Sequence, residues 1–355
     1  MAQQGKGREF HRCHQSTVSG FCFPENDGLL SNYDMTVISR PQTAGFLLLP
    51  GFSLMSYAAA VEPLRAANLL AGKTLYRWLN VGLDGPDATA SNGVAFRADA
   101  KAGDKLDLDW LLVCAGGNPA AFVHAKTFAW LRGLARRGAM LGGISGGAYA
   151  LARAGLLDGF RATIHWDHLP AFTEEFPRVA VERGLYVIDG KRVTCAGGVA
   201  AFDLMHALIE QAHGPALAAA IDDWYLHGRA RLGSRPQRLS AGERYGVGNA
   251  KLAEILARIE KRIDNPPSRA ELARDARISV RQLERLFAAH LRTTAAKYIL
   301  KLRLERARRL LRQSPRPVVE IATICGFASA AHFTTVYRRQ FGLPPRADRK
   351  AAQAL

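Results

Sequence analysis

Apolar positions change their period along the chain. Up to about residue 200 they come in short runs: Gly45-Phe46-Leu47-Leu48-Leu49, Tyr76 to Leu83, Asp109-Trp110-Leu111-Leu112-Val113-Cys114 and Ala139 to Ile144. Each has the length of a strand buried on both faces. The stretches between them, Leu54 to Ala71, Phe122 to Arg137 and Gly146 to Ala154, are longer and read as helices. Strands separated by helices predict an α/β domain, a largely parallel sheet with helices on both faces. In such sheets ligands sit at the carboxyl ends of the strands. His206 to Trp224 reads as helix broken at His213-Gly214-Pro215, and such terminal helices are candidates for pairing two subunits into a homodimer.

Past Asn249 the pattern is helical throughout. Asn249 starts a helix to Asp264, and Asn265-Pro266-Pro267-Ser268 closes it and caps the next. One pattern then occurs twice: Glu271-Leu272-Ala273-Arg274-Asp275-Ala276 followed by Ser279 to Phe287, and Glu320 to Phe327 followed by Ser329 to Tyr337. Each copy predicts a short helix, a tight turn and a second helix. Small Ala273 and Ala322 suit the close helix crossing of a helix-turn-helix. Leu283 with Phe287, and Phe333 with Tyr337, stand four apart and give each second helix one apolar stripe. The opposite faces carry Arg281 and Arg285 in one copy and Thr334 and Thr335 in the other, free to enter a DNA major groove. Ala295 to Gln313 joins the copies as one long helix whose apolar side holds Tyr298, Leu302, Ala307, Leu310 and Leu311. Two heads held about 34 Å apart read successive major grooves on one face of the duplex.

Charge sharpens this division. The net charge is +17, and from Gly228 onward 28 Lys and Arg face 10 Asp and Glu, against 20 and 21 in the rest. A basic C-terminal third on a neutral remainder predicts a polyanion reader joined to a sensor or enzyme. Residues 228–248 are rich in glycine, carry five arginines and read as a basic linker. The expected organisation is a disordered tail over residues 1–42, a sensing domain over 43–227, the linker, and a DNA-binding domain over 249–350. Met35 stands just before the first periodic stretch and is the expected translation start; His11, Cys13 and His14 lack metal-site spacing. Five scattered cysteines and no CxxC pair fit a reducing cytoplasm. No apolar run approaches the ~20 residues of a membrane span. No cofactor or metal is expected.

Gly143-Ile144-Ser145-Gly146-Gly147 is a G-x-S-x-G between a predicted strand and helix, the setting of a nucleophile elbow. His165 follows in Ala162-Thr163-Ile164-His165-Trp166. On the reading helices, Arg281 and Arg285 suit guanine and Glu284 suits the cytosine amino group; Ala330, Ala331, His332 and Thr335 take the matching places in the second copy, and Arg338 and Arg339 suit phosphates.

The last hundred residues or so, with Arg303 to Leu311 and the closing Tyr337-Arg338-Arg339-Gln340-Phe341-Gly342, resemble the AraC family of transcription regulators. Residues 43–225 resemble the PfpI-like, class I glutamine-amidotransferase-like domains. That resemblance implies a flavodoxin-like sandwich in which the elbow residue, the histidine and Gly116-Gly117 line a pocket. In those enzymes the elbow residue is a cysteine supported by an acid. Here the elbow holds Ser145, and the place of the acid, near Ser53 to Ser56, has none, so no residue is assigned a catalytic role.

The order of the two domains resembles the GlxA-type regulators. It implies a DNA-binding activator of catabolic genes that meets RNA polymerase and senses a small effector. Ser56 to Asn68 looks similar to regulators of glycine betaine and carnitine breakdown, which implies an amine, betaine or amino-acid-derived effector near Ser145, His165, Gly116, Gly117, Tyr57 and Trp166. A trimethylammonium group calls for an aromatic cage, for which Tyr57, Trp78, Trp110, Phe122 and Trp166 are candidates. The rival reading is a Ser/His hydrolase or amidase fused to a DNA-binding domain.

Overall fold

The computed structural model describes residues 40–353 except Tyr245, Val247 and Asp264. The expected tail up to residue 39, with Met35, His11, Cys13 and His14, lies outside the described residues. The strands are β1 (Gln42–Leu48), β2 (Tyr76–Gly82), β3 (Asp87–Thr89), β4 (Ala95–Arg97), β5 (Ala100–Lys101), β6 (Trp110–Ala115), β7 (Met140–Ser145), β8 (Arg161–Ala162), β9 (Ala180–Val181), β10 (Tyr186–Asp189) and β11 (Arg192–Cys195). The helices of this half are α1 (Leu54–Leu70), α2 (Ala125–Arg136), α3 (Gly147–Arg153), α4 (Leu169–Glu175), α5 (Ala200–His213) and α6 (Pro215–Trp224).

Among the described residues seven strands form the main sheet, in the order β10-β11-β7-β6-β1-β2-β5, parallel except for β10 against β11. β6 is buried along its whole length, as a central parallel strand must be when helices cover both faces. One core, around Phe46, Leu48, Leu112 and Ile144, packs beneath α1 and α5; the other, around Leu47, Leu111, Val113 and Leu141, packs against α2 and α3. The alternation along β1 sends Phe46 and Leu48 to one core and Leu47 to the other. β3 and β4 form a separate hairpin.

Element boundaries shift for local reasons. The helix expected from Phe122 begins at Ala125, because the His124 ring accepts the Thr127 N–H and caps it, with a 3-10 turn over Pro119–Ala121 ahead. The break at His213-Gly214-Pro215 is present: Gly214 at φ 87° ends α5 and Pro215 starts α6.

The second half holds α7 (Ala241–Arg244), α8 (Ala250–Lys261), α9 (Arg269–Asp275), α10 (Val280–Leu291), α11 (Ala295–Gln313), α12 (Val318–Ile324), α13 (Ala330–Phe341) and α14 (Pro345–Gln353). Ser268 with Glu271, and Ser279 with Gln282, form capping boxes on α9 and α10. The front of α11 (Tyr298, Ile299) completes the core of the first head with Leu272, Leu283 and Phe287. Its rear (Leu304, Ala307, Leu310, Leu311) completes the second with Ile321, Phe333 and Tyr337. One helix therefore belongs to both cores and fixes their relative placement.

Candidate functional site

Ser145 ends β7 and turns the chain into α3 with φ 58°, a left-handed conformation that costs a residue with a side chain about 1–2 kcal/mol. Small neighbours make the turn possible. A Cβ on Gly147 would strike the Val113 carbonyl, one on Gly143 the Ala148 backbone, and one on Gly146 the Pro119 ring. Ala115 pairs with Ser145 in the sheet, so Gly116-Gly117 leaves β6 directly beside the elbow. A Cβ on Gly116 would meet the Gly51 carbonyl and the Ser53 N–H, which brings that loop against the start of α1.

The elbow lacks the rest of a catalytic apparatus. Ser56, on α1, stands over the same glycine turn as Ser145: Gly198 donates its N–H to Ser56 Oγ at 2.7 Å, and a Cβ on Gly197 would lie 2.5 Å from Ser145 Cβ and 2.9 Å from Ser56 Oγ. A hydroxyl therefore stands beside the elbow where an activating acid is wanted. Glu62 belongs to α1 and bonds elsewhere, to Arg65 and Tyr225. The His165 ring accepts the Asp167 N–H at 3.3 Å and lies against Trp166 and His168. Burial pushes its pKa down, so the ring is neutral at pH 7. Among the described residues no hydrogen bond joins Ser145 Oγ to His165 or to a carboxylate. Burial also pushes the Cys195 thiol up to about 12, which leaves it no thiolate for chemistry.

The residues expected around one pocket divide between two places. Ser145, Gly116 and Gly117 meet at the elbow. Trp166 is one residue from His165, but the Arg238 guanidinium covers its ring at 4.3 Å. Gln237, also from the expected linker, donates to the Ile164 and Gly184 carbonyls, so this segment is seated on the His165 loop rather than free of it. Tyr57 turns away from the elbow. Its hydroxyl donates to Asn80 Oδ1 at 2.7 Å and its ring packs on Phe46, Phe52 and Phe96. With Trp78 and Phe96 it lines a separate cavity of about 270 Å³ on the outer face of α1. Trp110 is a core residue against Tyr76, and Phe122 packs on Phe128. Phe96, Ser56 and Gly197-Gly198 were not singled out by the sequence; only the glycine pair after a strand carries a local signal.

On the DNA-reading helices Leu283, Phe287, Phe333 and Tyr337 are fully buried. Arg281 and Arg285 of α10, and Ala331, His332, Thr335, Arg338 and Arg339 of α13, are exposed; Ala330 is half-buried. Glu284 is placed differently. Its carboxylate accepts the Ala295 N–H at the start of α11 and lies 3.6 Å from Arg269, so it is occupied within the first head. Thr335 donates its hydroxyl back to the Ala331 carbonyl.

The second head rests on the elbow loops. Gln313, at the end of α11, donates to Asp167 Oδ2 at 2.9 Å, two residues past His165. Asn118, next to Gly117, donates to the Arg312 carbonyl at 3.2 Å. Arg316 pairs with Glu174 at 3.4 Å, and Ala171 of α4 joins the apolar core of the second head.

The comparison with known proteins agrees with both halves. Residues 43–211 match the DJ-1/PfpI family and residues 272–351 a helix-turn-helix domain. The chain is 44% identical over 311 residues to the HTH-type transcriptional regulator GbdR of Pseudomonas aeruginosa, covering 88% of this chain and 85% of that protein. It is 45% identical over 304 residues to CdhR of the same organism (86% and 90%) and 42% identical over 310 residues to GlxA of Rhizobium meliloti (87% and 96%). The chain belongs to the AraC-type transcription regulators with an N-terminal DJ-1/PfpI domain. Members of this family named above are transcriptional regulators, and DNA binding by the helix-turn-helix domain is the shared function. A crystal structure of an AraC family transcriptional regulator from Pseudomonas putida is also similar, at 27% identity over 52% of this chain and all of that one, with a TM-score of 0.47. Among the described residues of this AraC-type regulator no helix is long and apolar enough to cross a membrane.

Proposed function

We propose that the protein is a ligand-responsive activator of catabolic genes whose DJ-1/PfpI domain senses a small amine, betaine or amino-acid-derived metabolite and performs no chemistry on it. The observation that carries this reading is the elbow. It keeps the strained turn at Ser145, but offers a weak nucleophile that among the described residues has no hydrogen-bonded base, and Ser56 rather than an acid stands over the same turn. The loops that flank it, at Gly117-Asn118 and His165-Asp167, instead hold the second DNA-reading head.

In this mechanism the effector favours one arrangement of those loops and hence one placement of the two heads, a shift limited to its difference in affinity for the two states. Arg281 and Arg285 read bases from α10. Ala330, Ala331, His332 and Thr335 offer methyl and imidazole contacts from α13, and Arg338 and Arg339 hold phosphates. The protein acts in the cytoplasm as a homodimer that engages RNA polymerase.

The test is a thermal-shift screen of the full chain against amines, betaines and amino acids, with the ligand recovered and analysed afterwards. A true effector at a hundredfold over its Kd adds about 2.7 kcal/mol of stability. It should be recovered unchanged. A ligand that is consumed would make the protein a hydrolase with Ser145 as its nucleophile.

A further inference from the structure

The segment expected as a free linker is docked on the sensing domain as far as Arg238, and its two ends are held differently. At the near end Asp203 of α5, 0% exposed, accepts the Arg231 backbone N–H on Oδ1 at 2.7 Å and the Arg231 guanidinium on Oδ2 at 2.7 and 3.1 Å. Asp222 of α6 accepts the Ala230 N–H at 3.2 Å. Both oxygens of Asp203 are thus used, in a charge-assisted pair that is strong because it is buried and paired. Parting it would leave a buried carboxylate alone. The chain then runs beside Gly184, and the Gly233 carbonyl accepts the Leu185 N–H at 2.7 Å.

The far end is Gln237 and Arg238. Gln237 Nε2 lies 2.8 Å from the Gly184 carbonyl, 2.9 Å from the Ile164 carbonyl and 3.0 Å from Thr163 Oγ1. An amide nitrogen carries only two hydrogens, so it cannot serve all three. Its own Oε1 is buried and has no hydrogen-bond partner among the described residues. The second head is seated in the same way. Gln313 and Asn118 each donate one bond across the boundary between the domains, and each keeps a buried carbonyl oxygen without a partner among the described residues. A buried unpaired carbonyl destabilises the closed arrangement, and hydration on opening returns that cost. The near anchor is saturated; the far anchor and the seat of the head are not.

Those two weak attachments share one loop. The far end of the segment takes the Ile164 carbonyl and the Trp166 ring. The head takes Asp167, through Gln313 at 2.9 Å and Arg309 at 4.0 Å. Residues 164–167 are therefore gripped from two sides, and losing one grip loosens the footing of the other.

We propose that residues 227–238 form a two-anchor strap, in which residues 227–231 stay fixed to Asp203 and Asp222 while Gly233 to Arg238 lets go together with the second head. With the far anchor closed, residues 239–249 join the strap to the start of α8; with it open, residues 232–249 do. The difference adds about 23 Å of reach at full extension. The strap so sets how far the heads travel once they leave the sensing domain. This deepens the ligand-responsive reading, which supplies the trigger, but the strap is tested without any effector.

The experiment is amide hydrogen exchange on the full-length protein, comparing the wild type with Gln237→Glu, Gln313→Ala and the two together. Gln237→Glu keeps the size of the side chain and turns its donor into an acceptor, so a residue that merely fills space would not feel it. It should speed exchange at Leu185 and across residues 234–238 about tenfold, and through the shared loop also across residues 165–168. Gln313→Ala should speed the same segments, and the double variant should fall short of the product of the two effects. The Arg231 amide should keep its wild-type rate throughout, which also shows that the variants are folded. Effects confined to 234–238 for Gln237→Glu, or to 165–168 for Gln313→Ala, would mean that strap and head let go independently and would overturn the proposal. So would loss of protection at Arg231 together with Leu185, no effect of Gln237→Glu, or fast exchange of Leu185 in the wild type. A metabolite screen without hits removes the trigger and leaves these exchange results standing.

Discussion

Gln313 Nε2 donates to Asp167 Oδ2 at 2.9 Å across 146 residues of chain, and so ties the end of the helix shared by both heads to the loop that carries His165. The bond joins the sensing half to the reading half. A single hydrogen bond of this kind is worth about 0.5–1.5 kcal/mol, enough to bias two arrangements without holding the fold together. Gln313→Ala is expected to raise effector-independent transcription about two- to tenfold from an operator selected out of random DNA, with stability changed by less than about 1.5 kcal/mol. A reporter assay without effector reads the first quantity and chemical denaturation the second. Unchanged basal output would mean that this contact does not restrain the heads.

Acid should loosen the same contact. His168 is buried at the start of α4, facing His165, Asp167 and Gln313; burial and then the nearby His165 lower its pKa, Asp167 and Gln313 oppose them, and the net value is about 4. The unfolded chain takes up the proton near its ordinary pKa of 6.5, while the folded chain resists. The resulting stability is complete above pH 6.5 and is lost as pH falls toward 4, on the order of 2–3 kcal/mol in all. Denaturation midpoints measured across this window should fall with pH, and His168→Gln should flatten the dependence.

Asp348 anchors the second head. It is 1% exposed and accepts from Arg308 Nε at 2.8 Å, Arg312 Nη2 at 2.6 Å and the Tyr337 hydroxyl at 2.6 Å. Burial pushes its carboxyl up, but hydrogen bonds from Tyr337, Arg312 and Arg308 outweigh that and leave the pKa below the ordinary value. Its contribution is present at neutral pH and lost only as pH falls through that lowered value. Asp348→Ala should cost about 1.5–3 kcal/mol, because the arginines it leaves behind are partly exposed and can be hydrated, and Tyr337→Phe about 1 kcal/mol, measured by urea unfolding. A cost below 1 kcal/mol for Asp348→Ala would show that the network adds little.

The turns of the two heads solve one problem with different residues. Gly326 and Gly342 adopt φ 78° in the second copy, and Arg277 and Arg292 adopt φ 53° and 50° at the matching places in the first. Both arginines are exposed, and neither guanidinium bonds a described residue. Arg277→Gly and Arg292→Gly should each raise stability by about 1 kcal/mol, because glycine accepts this conformation freely. Lower melting temperatures would show that the side chains do more than tolerate the turn.

On DNA, Arg281→Ala and Arg285→Ala should each cost about 1–3 kcal/mol on the selected operator and relax preference at one base position. Arg338→Ala should weaken binding evenly across sequences and reduce the salt slope by about one. Fluorescence anisotropy at several salt concentrations separates the two behaviours. A uniform loss for Arg281→Ala would reassign it to the backbone.

The sequence by itself determined what local pattern can carry. Strand and helix periods set the α/β half, the paired copies with Ser268 and Ser279 as caps set the two heads, and the small residues around Ser145 demanded the sharp turn. Each of these is decided within a few residues, where backbone sterics and side-chain spacing act directly. Tertiary structure alone decided the rest. It drew Tyr57 away from Ser145 and joined it with Trp78 and Phe96, because one face of α1 meets the elbow and another meets the hairpin. It occupied Glu284 within its own head, set Asp348 among donors from two other helices, and rested Gln313 on Asp167. Those partners lie on different helices or loops, and which polar groups meet is settled only when packing brings them together.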